Sequence, residues 1–186
     1  LLTACGDDAN TVPQETDYNK YVKQTKLYEA AKAPHDEVKV LDYSGKMVDQ
    51  FEASILLFPN LGWLNIENSY FQKFPSRLTQ LRSLTYLNMD KSWLPTFPEA
   101  LSTMTSLEVI KLNYNKITAV PAHIAQLSNL QQLDLTNNKI KTVSPEITKL
   151  NRLRTLFLST NEIEEVPAGL GQMPFLEQLV LSDNKL

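Results

Sequence analysis

From Val38 onward apolar residues recur every 23 positions, in units that begin at Val38, Leu61, Leu84, Leu107, Leu130, Leu153 and Leu176 without insertion or deletion. Seven units start and six finish. A fixed period of roughly 20–50 residues marks an array of stacked units. The clearest unit is LEVIKLNYNKITAVPAHIAQLSN (107–129), and LQQLDLTNNKI (130–140) and LRTLFLSTNEI (153–163) match it. Inside each, apolar residues alternate with period two, as Leu-x-Leu at Leu133 and Leu135, which predicts a short strand with its apolar residues facing in. The second half follows turn chemistry. Pro121 and Pro167 fix φ where the chain leaves the strand layer, and the three-residue spacing of Ile124 and Leu127 predicts a short helix or 3-10 turn. Each unit is therefore one coil. A single coil cannot bury its own apolar edge, so stacked coils supply one another's core.

Asparagine stands ninth in four units, at Asn115, Asn138, Asn161 and Asn184. Its amide is suited to backbone groups freed where the chain bends after each strand, which are costly if left unpaired in the interior. The column is read as structural. Together these residues resemble a leucine-rich repeat protein of the bacterial 23-residue class, LxxLxLxxNxIxxVPxxIxxL. The match is most specific over 84–186 and covers about four fifths of the chain. The resemblance implies an α/β fold: a right-handed solenoid with a parallel concave sheet, short helical or 3-10 convex segments and an N-terminal capping helix. Departures occur at Ser69 and Ser92, which replace Asn but keep part of its bonding, at Lys46 and Glu52 in the first unit, and at Pro145, one place late.

A solenoid exposes its core at both ends unless capped. DYNKYVKQTKLYEAAKA (17–33) places Tyr21, Val22, Thr25, Tyr28 and Ala31 near one helical face, with Asp17 as N-cap and Pro34 as stop, so 17–37 is expected to cover the first coil of the repeats at 38–186. At the other end the chain stops at Leu186 in mid-coil with no polar capping segment. Two expectations follow: a longer chain, or a last coil protected by something else.

The chain has one cysteine, Cys5, so no disulfide forms within it. Leu-Thr-Ala-Cys at 2–5 resembles a bacterial lipobox, in which the cysteine is lipidated and becomes the first residue of the mature protein. The resemblance implies that 1–4 are the remnant of a removed signal peptide, that 5–16 form a polar tether (GDDANTVPQETD follows the cysteine), and that the protein is lipid-anchored at the outer membrane, on its surface or its periplasmic face.

With the fourth and sixth residues of each unit facing in, the third, fifth, seventh and eighth face out of the sheet and form columns about 4.8 Å apart. The third column brings Trp63 beside Tyr86, both expected to be exposed. Asn65, Asn88, Glu67 and Asp90 surround them, with Lys111 and Tyr114 on the next unit and Tyr70 and Trp93 flanking at the strand ends. Aromatics with a polar rim are the composition of a binding hot spot. Two readings stay open: a partner site formed by Trp63, Asn65, Glu67, Tyr86, Asn88, Asp90, Lys111 and Tyr114, or aromatics that merely shield the sheet near its cap.

Net charge is −3, which gives no overall positive field for nucleic acid. No run of eighteen apolar residues occurs. His35 and His123 fall far apart, and the chain has no Gly-rich phosphate loop, so neither a metal cluster nor a catalytic triad is expected. Glu67 and Asp90 are read as solvated charge rather than as an acid–base pair or calcium site. The expected role is a non-enzymatic, cofactor-free, membrane-anchored module that binds a protein or peptide on its concave face, in adhesion or host interaction. The alternatives are a periplasmic envelope scaffold, or the recognition arm of an enzyme whose catalytic domain lies beyond Leu186.

Overall fold

The computed structural model describes residues 34, 36–45, 55–71 and 73–186. The expected signal remnant and tether lie outside the described residues, as do Lys46 and Glu52. So does the expected capping helix except for Pro34, Asp36 and Glu37, where the Glu37 N–H donates to the Pro34 carbonyl at 2.9 Å.

The strands are β1 (Val40–Asp42), β2 (Trp63–Asn65), β3 (Tyr86–Asn88), β4 (Val109–Lys111), β5 (Ala119–Val120), β6 (Gln132–Asp134), β7 (Thr142–Val143), β8 (Thr155–Phe157) and β9 (Gln178–Val180). Seven of them form one parallel sheet in the order β1-β2-β3-β4-β6-β8-β9. Each residue pairs with the one 23 places on: Leu41 with Leu64, Leu64 with Leu87, Leu87 with Ile110, and onward to Leu179. Repeat period and strand register are thus the same quantity. A second sheet pairs β5 with β7, in extended backbone at Val120 and Val143 before the next turn. The sequence reading placed only a turn here.

Return segments are 3-10 turns at Ile55–Leu57, Ser76–Gln80, Glu99–Thr103, Ala122–Gln126, Pro145–Lys149 and Leu170–Gln172. Pro75, Pro98 and Pro121 precede three of them in extended conformation. The displaced Pro145 leaves this turn in phase. Ser144 occupies the usual proline site and caps the turn, its side chain accepting from Glu146 N–H, while Pro145 takes a first-turn position that needs no donor. Between sheet and turns lies one core, in which Leu41, Leu64, Leu87, Ile110, Leu133 and Leu156 form a fully enclosed column. Truncating such a leucine to alanine costs about 2–5 kcal/mol.

The asparagine column sews the coils together. Asn138 Nδ2 donates to the Leu112 carbonyl of the preceding coil at 2.9 Å and to Leu135 and Thr136 of its own at 2.9 and 3.2 Å. Its Oδ1 accepts from Ile117 N–H of the preceding coil at 3.0 Å. Asn115, Asn161 and Asn184 repeat the arrangement. Ser92 keeps a fraction of it, donating to Asp90 at 3.1 Å and Ile66 at 3.5 Å. Just before this column every unit passes through left-handed backbone, at Gly45, Asn68, Lys91, Tyr114, Asn137, Thr160 and Asp183. Six of those seven are not glycine. Each of the first six donates its N–H to the next coil, as Tyr114 does to Thr136 at 3.0 Å, so inter-coil bonding holds the unfavourable conformation in place.

Asn138→Ala is expected to lower unfolding stability in urea by at least about 3 kcal/mol, because several buried backbone groups lose their partner at once. Asn137→Ala, at the adjacent half-buried position, should cost less than half as much.

Candidate functional site

Three-residue strands need a device that ends them, and the fifth position of several units supplies it. Asp42, Asn65, Asn88 and Asp134 turn their Oδ1 back to accept the N–H two residues on, from Ser44, Glu67, Asp90 and Thr136 at 2.9–3.1 Å. These are Asx turns, local bonds that compete with continued strand. They correct one expectation. Asn65 and Asn88 are buried, at 2% and 7% exposure, because their amides are folded against the backbone.

Trp63 and Tyr86 do lie together, stacked with ring centroids 4.6 Å apart and planes 12° apart. Their expected exposure is corrected too: Trp63 is half-buried and Tyr86 is buried at 9%. In-register pairing sets the Trp63 ring against one side of Tyr86 and the buried Val109 on the other. The pair therefore contributes to sheet stability, as neighbouring aromatics do.

What the face offers to solvent is largely polar. Glu67, Asp90, Lys111 and Asp134 are half-buried, and Glu67 Oε1 pairs with Lys91 Nζ at 2.8 Å. Tyr114 stands at the rim with 55% exposure. Burial pushes the Asp90 carboxyl up from the usual carboxylate range to about 7. The Asn113 N–H donating to its Oδ1 at 2.6 Å opposes that rise, as does the charge of Lys111, whereas Asp134 and Glu67 add to it. The structure thus brings Glu67, Asp90, Lys111 and Tyr114 onto one patch over β2–β4, and sets Asn65, Asn88 and Tyr86 beneath it.

Sequence reasoning undervalued the strand-exit edge. Tyr70 and Trp93, treated as flanks, are 66% and 50% exposed and stack at 5.8 Å, and Lys116 Nζ lies 3.9 Å from the Trp93 ring centroid. Their signal was the pair Ser-aromatic, at Ser69-Tyr70 and Ser92-Trp93.

Among the described residues no group of three or more His, Cys, Asp or Glu is arranged to hold a metal ion, and no helix is long and apolar enough to cross a membrane. His123 sits in the 3-10 turn Ala122–Gln126, against Phe97 at 5.9 Å.

Because the folded state binds the Asp90 proton up to higher pH than the unfolded chain does, the contribution of Asp90 to stability is expected to fall as pH rises from about 4 to about 7. Asp90→Asn should flatten that slope and raise stability at pH 8 by on the order of 2–4 kcal/mol, read from urea midpoints at pH 4.5 and 8. An unchanged slope would show that another group titrates.

A family model described as a leucine-rich repeat region matches residues 109–185. No curated protein sequence matches the chain. A leucine-rich repeat protein of Leptospira interrogans has a similar structure, with TM-score 0.66 and 24% identity over 86% of this chain and 52% of the other. Internalin C2 of Listeria monocytogenes gives 0.70 and 23% over 81% and 64%, and a second internalin of that species 0.64 and 19% over 86% and 52%. This chain therefore spans about half to two thirds of the length of those structures. By its repeat register and these likenesses the chain has the leucine-rich repeat solenoid fold, and its residues 109–185 form a leucine-rich repeat region.

Proposed function

We propose that the chain is a binding module that holds a protein or peptide partner on the outward face of its seven-stranded sheet, through the patch of Glu67, Asp90, Lys111 and Tyr114. The observation that carries this reading is that patch itself: charged and aromatic side chains of both signs, in fixed columns on a core that stacked coils make rigid. Buried Asn65, Asn88 and Tyr86, with half-buried Trp63, support the patch from beneath and reach a partner only at their edges.

The module acts by capture rather than turnover. A depression of about 220 Å³ lined by Lys73, Phe74, Leu94, Pro95 and Glu99 falls below the ~300–1,000 Å³ of ordinary ligand pockets and contains none of the patch residues. A lipid on Cys5 anchors the module to the bacterial outer membrane, with residues 5–16 as tether. This part of the proposal rests on the lipobox resemblance alone. Adhesion to other cells is the role that fits a tethered binding face; scaffolding within the envelope is the alternative.

Immobilised wild-type domain should capture a partner from envelope or host-cell extracts, and Glu67→Ala with Tyr114→Ala should cut its recovery at least tenfold without moving the urea midpoint. Undiminished capture by that variant would place the interface elsewhere. In the native host, Cys5→Ser should shift the protein from the membrane to the soluble fraction; unchanged fractionation would end the lipidation proposal.

A further inference from the structure

Two neighbouring units depart from the rest in the same way. Both replace the ninth-position asparagine by serine, and both follow it with a large ring, Tyr70 or Trp93. Both rings sit on left-handed backbone, with φ of 46° and 62°. In the four asparagine units the corresponding residues are Lys116, Lys139, Glu162 and Lys185, and none of these has a positive φ. The shorter serine side chains bond mainly within their own coils, Ser69 to Glu67 and Ser92 to Asp90, with Ser92 reaching the preceding coil only at Ile66, 3.5 Å away, and at the next residue the chain takes a second left-handed conformation. Bulky side chains rarely adopt this conformation, and such strain gathers at functional surfaces.

The strained residues are also among the most exposed aromatics described. They stack at 5.8 Å with planes 22° apart, and Lys116 covers the outer face of Trp93. Lys139 follows in the same column on the next coil. Among the described residues neither Lys116 nor Lys139 has a carboxylate within ion-pair distance, whereas Lys91 pairs with Glu67 and both Lys141 and Lys185 pair with Glu162, the next residue of the column, which Lys139 influences only at longer range. On a chain of net charge −3, this edge is locally basic and aromatic. From Tyr70 to Lys139 is three strand spacings, about 14 Å, the reach of roughly four residues of extended peptide.

We propose that this ridge, Tyr70–Trp93–Lys116–Lys139, is a docking surface for an extended acidic peptide bearing aromatic or apolar side chains. It lies at the strand-exit edge, distinct from the sheet-face patch, and it rests on the reading of the chain as a binding module. The apolar end of the peptide lies along the edges of the Tyr70 and Trp93 rings. Its carboxylates meet the ammonium groups of Lys116 and Lys139, and the stacked rings hold Lys116 in place by cation–π attraction.

The test is isothermal titration of the whole chain with a glutamate–tyrosine random copolymer at low ionic strength. Binding is expected, weakened at least about tenfold by Trp93→Ala and by Lys116→Gln, and unchanged by Glu67→Ala with Tyr114→Ala. Trp93→Gly separates binding from folding: glycine relieves the left-handed strain, so its melting temperature should stay within about 3 °C while binding is lost. Absence of copolymer binding would overturn the proposal, as would binding indifferent to Trp93→Ala and Lys116→Gln. Binding that is lost instead with Glu67→Ala and Tyr114→Ala would overturn the ridge while leaving the sheet-face reading in place.

Discussion

The amide of each ninth-position asparagine belongs to two coils at once, and the rest of the molecule depends on that sharing. Asn138 bonds carbonyls at Leu112 and Leu135, one in each coil, and takes an N–H from Ile117. No coil can therefore complete its own backbone bonding. The same holds for its apolar edge, since Leu133 is enclosed within a core built by successive coils. Stability in such an array is a sum of unit and neighbour terms. Polar and apolar demands are both met by the same 23-residue step, which leaves little freedom in how one coil sits on the next. The columns on the outer face inherit that order.

Much of this architecture could be seen in the pattern of residues. Apolar residues alternating at the fourth and sixth positions, as at Leu133 and Leu135, located the strands because alternation has one structural meaning when its apolar side recurs in phase. The asparagines announced a bonding column because a buried amide at constant spacing must find partners. Pro145 was harder: the displaced proline looked like a disturbed turn, yet Ser144 supplies a cap and the turn stays in phase. The small β5–β7 sheet escaped notice since two-residue strands carry no periodicity.

Side-chain exposure was less legible than backbone position. Alternation correctly sent Tyr86 and Asn88 to the outer face of the sheet, but outward is not the same as exposed. A ring of this size lies against its neighbours, as Tyr86 does against Trp63, and a short amide folds back on its own strand end. The left-handed backbone at Trp93 was equally hidden, because no preference of tryptophan announces it; its one companion in the sequence is the serine that stands in the asparagine column before it. Residues at the rim, such as Tyr114, escape both effects and remain open to a partner.

The central proposal is that a stack of coils presents its sheet face and strand-exit edge for capture of a protein or peptide, while the 3-10 side serves the core. Hydrogen–deuterium exchange of the chain with and without a captured partner tests this most directly. Slower exchange confined to peptides covering 63–70, 86–93 and 109–116 is the result predicted. Protection confined to the 3-10 turns at 99–103, 122–126 and 145–149 would contradict the account and put the binding surface on the opposite side of the solenoid.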